Sequence, residues 1–240
     1  MANEVKIRYP SILRPITIIV GGFGSGKTEV SVNIAKFLAA TQDSPVTIVD
    51  LDLVNPYFRS RETVREMEAL GVRAVAPKGG QFYADLPILL PEVKGIIERH
   101  EGKVILDVGG DAQGTRALGS LADEFETGTF EMLMVLNSRR PQTSDVDGSI
   151  KMMQRIELTA RLKFTGLISN SHMIDETNAE IIDEGYRLAR EVGSRTGLPL
   201  FFVSVKRDIL EGMDTGGYEC AFLPLTRSML KPWERKKETG

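Results

Sequence analysis

The chain of 240 residues contains one cysteine and two histidines. A single thiol, Cys220, cannot close an intramolecular disulfide, and it excludes a zinc site built from several cysteines. Set in Tyr-Glu-Cys-Ala-Phe, it reads as a small buried apolar residue rather than a nucleophile. His100 and His172 have no metal-ligand spacing around them and read as non-catalytic. Long hydrophobic runs are missing too. The apolar stretch at 16–20 falls far short of the about 20 residues that a spanning helix needs. The opening Met-Ala-Asn-Glu-Val-Lys has no signal-peptide pattern. Charge of one sign is not in excess: 30 Lys and Arg face 33 Asp and Glu, a net charge of −3, which argues against a general nucleic-acid binder. There is no internal repeat and no low-complexity linker. These absences describe a soluble protein of the reducing cytoplasm, without a membrane or a specific nucleic acid as partner.

Hydrophobic residues make up 42% of the chain, enough for a substantial core. Strand-like apolar runs at 16–20, 46–50, 72–76, 103–107, 131–136, 164–169 and 200–205 alternate with helical patterns. The helices are expected at 27–40, 60–70, 89–100, 114–122, 143–162 and 176–195. Such alternation predicts an α/β fold with a mostly parallel sheet and helices on both faces. One domain over 1–240 is the economical reading, with a core at about 14–206 and a C-terminal extension at 207–240. Ligands of such sheets sit outside the carboxyl ends of the strands.

Gly21 to Thr28 read G-G-F-G-S-G-K-T, which fits the phosphate-loop pattern G-x-x-x-x-G-K-[ST] without a gap. Ile16–Val20 before it reads as a buried strand. Val30, Ile34, Phe37 and Leu38 after it recur at helical spacing. In this pattern the backbone amides of Gly22, Gly24, Ser25, Gly26, Lys27, Thr28 and Glu29 cradle phosphate. Lys27 reaches the β- and γ-phosphates, and the Thr28 hydroxyl ligates Mg²⁺.

The strand ends supply the rest. Asp107 ends Lys-Val-Ile-Leu-Asp and is the Mg²⁺-side acid expected beside a phosphate loop. Gly110 closes D-x-x-G, where a backbone N–H can meet the terminal phosphate. Asp50 and Asp52 end the second strand. Only one of them is expected to face the phosphates: Asp52, further out, to orient or deprotonate the attacking water, with Asp50 as runner-up or as support for Mg²⁺. Asn55-Pro56-Tyr57-Phe58-Arg59-Ser60-Arg61 follows, with aromatics and arginines that suit a contact surface or simple loop packing. Arg59 and Arg116 are cations able to approach phosphate. Asn170, or alternatively Asn137, is placed to hydrogen-bond a purine edge. The Asn-Lys-x-Asp pattern that selects guanine is not met, because Ser171 and Met173 stand in its last positions, so adenine is the better reading.

Gly21–Thr28, Asp50-x-Asp52, Asp107-Val-Gly-Gly110 and a strand-end Asn170, in this order, resemble the MinD/ParA-like proteins of the SIMIBI class of phosphate-loop nucleotidases. That group includes the CobQ/CobB and dethiobiotin synthetase-like proteins. The resemblance spans about 14–206. It implies a three-layer fold with a seven- to eight-stranded sheet, binding of ATP with Mg²⁺, a homodimer, and Asp52 as the water-orienting acid. MinD/ParA proteins carry an extra lysine early in the loop that reaches the partner's nucleotide; that position is Gly22 here. A membrane-binding C-terminal helix, another MinD feature, is interrupted by Pro232.

The leading expectation is a Mg²⁺-dependent, slow ATPase with Lys27 and Asp52 as catalytic residues, switching a protein partner through the Tyr57–Arg61 region. A small-molecule kinase or ATP-dependent ligase is the alternative, with Pro77–Asp85 shaping an acceptor pocket. A nucleotide-binding assembly factor without hydrolysis is the second.

Overall fold

The computed structural model describes residues 9–52, 57–59, 61–76 and 82–228, apart from the side chains of 59, 61, 62 and 82–88. Eight strands form one sheet, and every neighbouring pair is parallel. They are β1 (Ile16–Gly21), β2 (Val46–Leu51), β3 (Val72–Val75), β4 (Lys103–Gly109), β5 (Phe130–Leu136), β6 (Gly166–Ser169), β7 (Leu200–Lys206) and β8 (Ala221–Leu225). Their order across the sheet is β3-β2-β4-β1-β5-β6-β7-β8. The helices are α1 (Lys27–Thr41), α2 (Arg61–Ala69), α3 (Phe82–Arg99), α4 (Ala112–Ser120), α5 (Val146–Ala160), α6 (Ala179–Thr196) and α7 (Arg207–Glu211).

The strands are apolar on both faces because both faces are covered. Ile16, Ile18 and Val20 of β1 pack with Val93 of α3, Leu118 of α4, Ile156 of α5 and Val192 of α6. Ile19, from the opposite face of the same strand, packs with Val30, Ile34 and Leu38 of α1 and Met67 of α2. Leu223 and Leu225 of β8 join that second cluster although β8 lies four strands from β1. The sheet therefore curls around α1. Strand order reverses at β1, which has β4 on one side and β5 on the other. The first phosphate-loop glycine is the last residue of this central strand, at the point where an open parallel sheet opens a ligand crevice.

The seven strands expected from the sequence are present with ends moved by at most two residues. The eighth, Ala221-Phe-Leu-Pro-Leu, was not expected. Pro224 argues against a central strand, but an edge strand tolerates it, and β8 is an edge. The sheet thus continues past 206. Helix starts differ for local reasons. α5 begins at Val146, not 143, because the Asp145 carboxylate accepts from the Gly148 N–H (2.8 Å) as the cap. α6 begins at Ala179, not 176, because Asn178 accepts from the Ile181 N–H (3.0 Å). α3 begins at Phe82, not 89, and prolines 87 and 91 lie within it.

After β8 the chain crosses α1. The Asn33 carboxamide accepts from the Thr226 N–H (2.9 Å) and donates to its carbonyl (3.1 Å), and the Glu29 carboxylate accepts from the Ser228 N–H (2.6 Å). Replacing Asn33→Ala removes both partners of Thr226. It should cost about 1–3 kcal/mol and raise amide exchange at 226–228 before that of β1 or β4. Unchanged exchange there would show that the segment is held by other contacts.

Candidate nucleotide site

Between β1 and α1 the backbone turns through Gly24 (φ 73°) and Gly26 (φ 83°), values that glycine adopts without cost. Gly26 caps α1 with no side-chain hydrogen bond. The first-turn amides of α1 are therefore not claimed by a side chain, and they carry the positive end of the helix dipole. An anion is the natural acceptor for them. Gly21 is needed for a packing reason: a Cβ there would lie 2.5 Å from the buried Ser25 Oγ.

Lys27, Asp50, Asp52 and Asp107 converge behind this loop and all are buried. The Lys27 ammonium is ion-paired with Asp52 Oδ2. Burial alone would lower its pKa, but the carboxylates of Asp107 and Asp52 outweigh burial and hold it above the ordinary lysine value. Asp50 and Asp107 are register neighbours on β2 and β4. Burial, reinforced by Asp107, pushes Asp50 up to about 8. Burial likewise raises Asp107, against the pull of Lys27 and the Thr28 hydroxyl. Asp52 lies just past the last residue of β2, and both it and Asp50 are near enough to the Lys27 ammonium to raise its pKa. They differ in what they hold. Asp52 holds the ammonium. Asp50 accepts from the backbone N–H groups of Asp52 (3.0 Å), Tyr57 (2.7 Å) and Phe58 (3.2 Å).

Three carboxylates around one ammonium leave a deficit of positive charge. Asp107 Oδ1 accepts from Ser31 Oγ (3.3 Å), while its buried Oδ2 has no hydrogen-bond partner. An orphaned carboxylate oxygen beside the Thr28 hydroxyl is a donor set of hard oxygens, which fits Mg²⁺. Among the described residues no cluster of three or more His, Cys, Asp or Glu is arranged to hold a metal by itself.

A pocket of about 440 Å³ opens from the loop toward the ends of β6, β7 and β8. Gly24, Gly26, Lys27, Thr28, Glu29, Asp52 and Asn170, all expected site residues, line it. Asn170 is engaged with the loop itself. Its Nδ2 donates to the Ser25 carbonyl (2.8 Å) and its Oδ1 accepts from Ser204 Oγ (2.7 Å), so it braces the phosphate loop against β7. Gly26 has to be glycine beside it: a Cβ there would sit 2.2 Å from Asn170 Nδ2. Asn137 is fully buried; its Oδ1 accepts from the Arg139 N–H (2.9 Å) and shapes the turn after β5. The Gly110 N–H donates to the Gly21 carbonyl (3.1 Å) rather than facing open space. Gly22 packs against Met152 and Gln142. Phe58 is buried and Tyr57 is half-buried, with its hydroxyl donating to the Ser228 carbonyl (3.2 Å); these aromatics pack the segment down instead of forming an exposed surface. Arg116 is exposed on α4 and does not line the pocket. Residues 53–56, 60 and 77–81, and the side chains of Arg59 and Arg61, lie outside the description.

Among the pocket residues outside the expected set are His172 and Arg140; His172 lines the pocket beside Gly26. Burial, with the Arg140 charge second, lowers it to about 4, so it is a neutral wall residue. Arg140 donates from Nε to the Gly24 carbonyl (2.7 Å). Position alone pointed to both, since each follows a strand that borders the crevice.

The sheet order, the glycine loop and the acid-ended strands beside it define an α/β phosphate-loop nucleotidase fold, with an eight-stranded parallel sheet covered by helices. The chain is similar to chloroplast FtsY from Physcomitrella patens (TM-score 0.53, 16% identity, 84% of this chain and 61% of that one). It is also similar to FtsY from Thermotoga maritima (0.51, 17%, 85% and 65%). A third is the signal recognition particle 54 kDa protein from Aeropyrum pernix K1, solved in complex with GDP (0.53, 19%, 84% and 42%). The chain thus spans about three fifths of the length of the FtsY structures it matches. At these identities the likeness establishes the fold, and it does not single out the MinD/ParA branch. No protein-family profile and no curated protein matches the chain. Among the described residues no helix is long and apolar enough to cross a membrane.

If Asn170 acts through the loop, Asn170→Ala should weaken ATP, ADP and GTP by a common factor. The factor should be roughly 5–100-fold, corresponding to about 1–3 kcal/mol for an unsatisfied buried carbonyl. Calorimetric titration tests this. A loss confined to one base would make Asn170 a base reader after all.

Proposed function

We propose that this chain binds a nucleoside triphosphate with Mg²⁺, ATP in the first instance, and hydrolyses it slowly as a switch read by a protein partner in the cytoplasm. The observation that carries the proposal is the buried Lys27 ammonium, ringed by Asp50, Asp52 and Asp107, behind a helix start with no side-chain cap. Thr28 and Asp107 would hold Mg²⁺, with Asp50 supporting, and the ion would neutralise charge on the phosphoryl oxygens. Loop amides from Gly22 to Glu29 wrap the phosphates.

Lys27 is the moving part. Its ammonium is bonded to Asp52. A triphosphate competes for the ammonium, and Asp52 is released at the edge of the γ-phosphate position. There it orients the attacking water and takes its proton. Asp50 links the same event to the next segment, because its carboxylate holds the amides of Tyr57 and Phe58. Rearrangement at the metal side therefore reaches the Tyr57–Arg61 region, and we assign its release from this packing as the change a partner reads. A homodimer fits the apolar rim of the pocket, where Phe23 and Ile174 are exposed. Placement nearer the MinD/ParA branch rests on the Asp50-x-Asp52 pattern. Preference for ATP rests on the departure of Asn170-Ser-His-Met173 from the guanine pattern. The GDP in the related 54 kDa protein makes GTP the competitor to test. Pro77–Gln81, expected to begin an acceptor pocket for a kinase, lies outside the described residues, so no observation favours that reading.

The decisive measurement is a titration of ATP, ADP and GTP, with and without Mg²⁺, followed together with oligomeric state. Lys27→Ala should weaken the triphosphate by about 10–100-fold, the loss of a charge-assisted hydrogen bond worth about 1.5–3 kcal/mol, with the fold intact by circular dichroism. Wild-type turnover in that variant would refute the site. Asp52→Ala should keep or tighten binding, because it frees Lys27, while slowing hydrolysis by about 10²–10⁴-fold. Loss of binding instead would place Asp52 in the metal shell.

A further inference from the structure

A triphosphate brings several negative charges to this pocket, and the Lys27 ammonium is already paired with Asp52. Besides Lys27, three cationic side chains line the cavity: Arg140, Lys206 and Arg227. Lys206 is paired with Asp208 (3.3 Å), and Arg227 with Asp175 (3.5 Å). Arg140 differs. Among the described residues its guanidinium has no carboxylate partner, and its one hydrogen bond runs from Nε to the Gly24 carbonyl of the phosphate loop itself.

We propose that Arg140 is a cis-acting cation for the terminal phosphates, anchored on the loop through Nε and presenting its remaining N–H donors to the nucleotide. The proposal rests on the nucleotide-binding reading above and adds to it a residue that meets the transferred group.

Three observations carry it. The first is anchorage. The Arg140 N–H donates to the Asn137 carbonyl (3.0 Å) and the Arg140 carbonyl accepts from the Thr143 N–H (2.9 Å). The Thr143 hydroxyl also donates to the Asn137 carbonyl (2.8 Å). Arg140 is thus fixed in a tight turn at the end of β5, and β5 is the strand paired with β1. The second is fit. Gly24 has φ 73°, and a Cβ on it would lie 2.9 Å from Arg140 Nε. Glycine at 24 leaves room for the guanidinium. The third is valence. A guanidinium carries five N–H donors in a fixed fork, so one bond to Gly24 leaves four for oxyanions.

In the reaction, water oxygen bonds to the γ-phosphorus and the bond to the β–γ bridging oxygen breaks. The diphosphate leaves with the electron pair, and the water proton passes to Asp52 and on to inorganic phosphate. Charge grows on the bridging and γ-oxygens as this happens. A preorganised guanidinium there acts on the transition state more than on the bound diphosphate.

The test measures turnover of Mg²⁺–ATP at saturation, binding of ADP, and binding of ADP with aluminium fluoride, which mimics the transferring phosphoryl group. Arg140→Ala should lower kcat by about 10³-fold or more, the scale of an arginine supplied to phosphoryl transfer. It should change ADP affinity by less than about threefold and abolish the tighter binding of the fluoride complex. Arg140→Gln, which keeps a hydrogen-bonding side chain without the charge, should behave alike and guards against misfolding of the alanine variant. Turnover within threefold of wild type in both variants overturns the assignment. So does a parallel loss of ADP affinity and kcat, which would make Arg140 a brace of the loop only. A wild-type protein that neither binds nor turns over nucleotide sinks the underlying site reading, and this proposal with it.

Discussion

The Lys27 ammonium is buried among Asp50, Asp52 and Asp107, and the rest of the site is arranged around that fact. A buried lysine without carboxylates would lose its proton, and buried carboxylates without a cation would gain one. Here the charges hold one another in place, but incompletely. One oxygen of Asp107 has no partner, and burial keeps Asp50 and Asp107 reluctant to ionise. The cluster is electrostatically unfinished in a way that a divalent cation with phosphate would complete. Buried, unbalanced charge is weak as a source of stability, which is why a functional explanation suits it better than a structural one.

Around this cluster the loop is braced from outside. Asn170 reaches the Ser25 carbonyl from β6's end, Arg140 reaches the Gly24 carbonyl from the turn after β5, and the Gly110 amide reaches Gly21 from β4's end. Three neighbouring strands each contribute one donor to a loop carbonyl. The loop carbonyls are held in this way by groups at the strand ends, so the loop's shape is fixed by its neighbours as well as by its own sequence. On the far side of α1 the chain after β8 clips onto Asn33 and Glu29, and Tyr57 bonds the Ser228 carbonyl. The turn held by Asp50 is therefore tied at a second point to the end of the described chain.

Much of this was legible before any coordinate. G-G-F-G-S-G-K-T following an apolar run located the loop, because only that chemistry needs glycines, a lysine and a hydroxyl at those spacings. Asp107 was legible because an acid ends an otherwise apolar strand. What Asn170 holds, and which of the two readings of Tyr57 and Phe58 applies, were not legible, and the reason is common to both. A polar or aromatic residue at a strand end has a direction that spacing does not give. Asn170 points down at Ser25 and not out at a base; Phe58 points into the cluster around α1. The eighth strand escaped notice because a proline is judged against a central strand until the edge is known.

The sequence by itself determined the alternation of strands and helices, the place of the anion loop and the acids at the strand ends, since local periodicity and local spacing encode these. Only the tertiary structure decided that Asp50 holds a backbone turn while Asp52 holds Lys27, that Asn170 and Arg140 grip the loop's carbonyls, and that β8 closes the sheet over α1. Those depend on which strands become neighbours and how far the sheet curls. Pairing of residues 25 to 193 positions apart is set by packing of the whole core and not by any window of the chain.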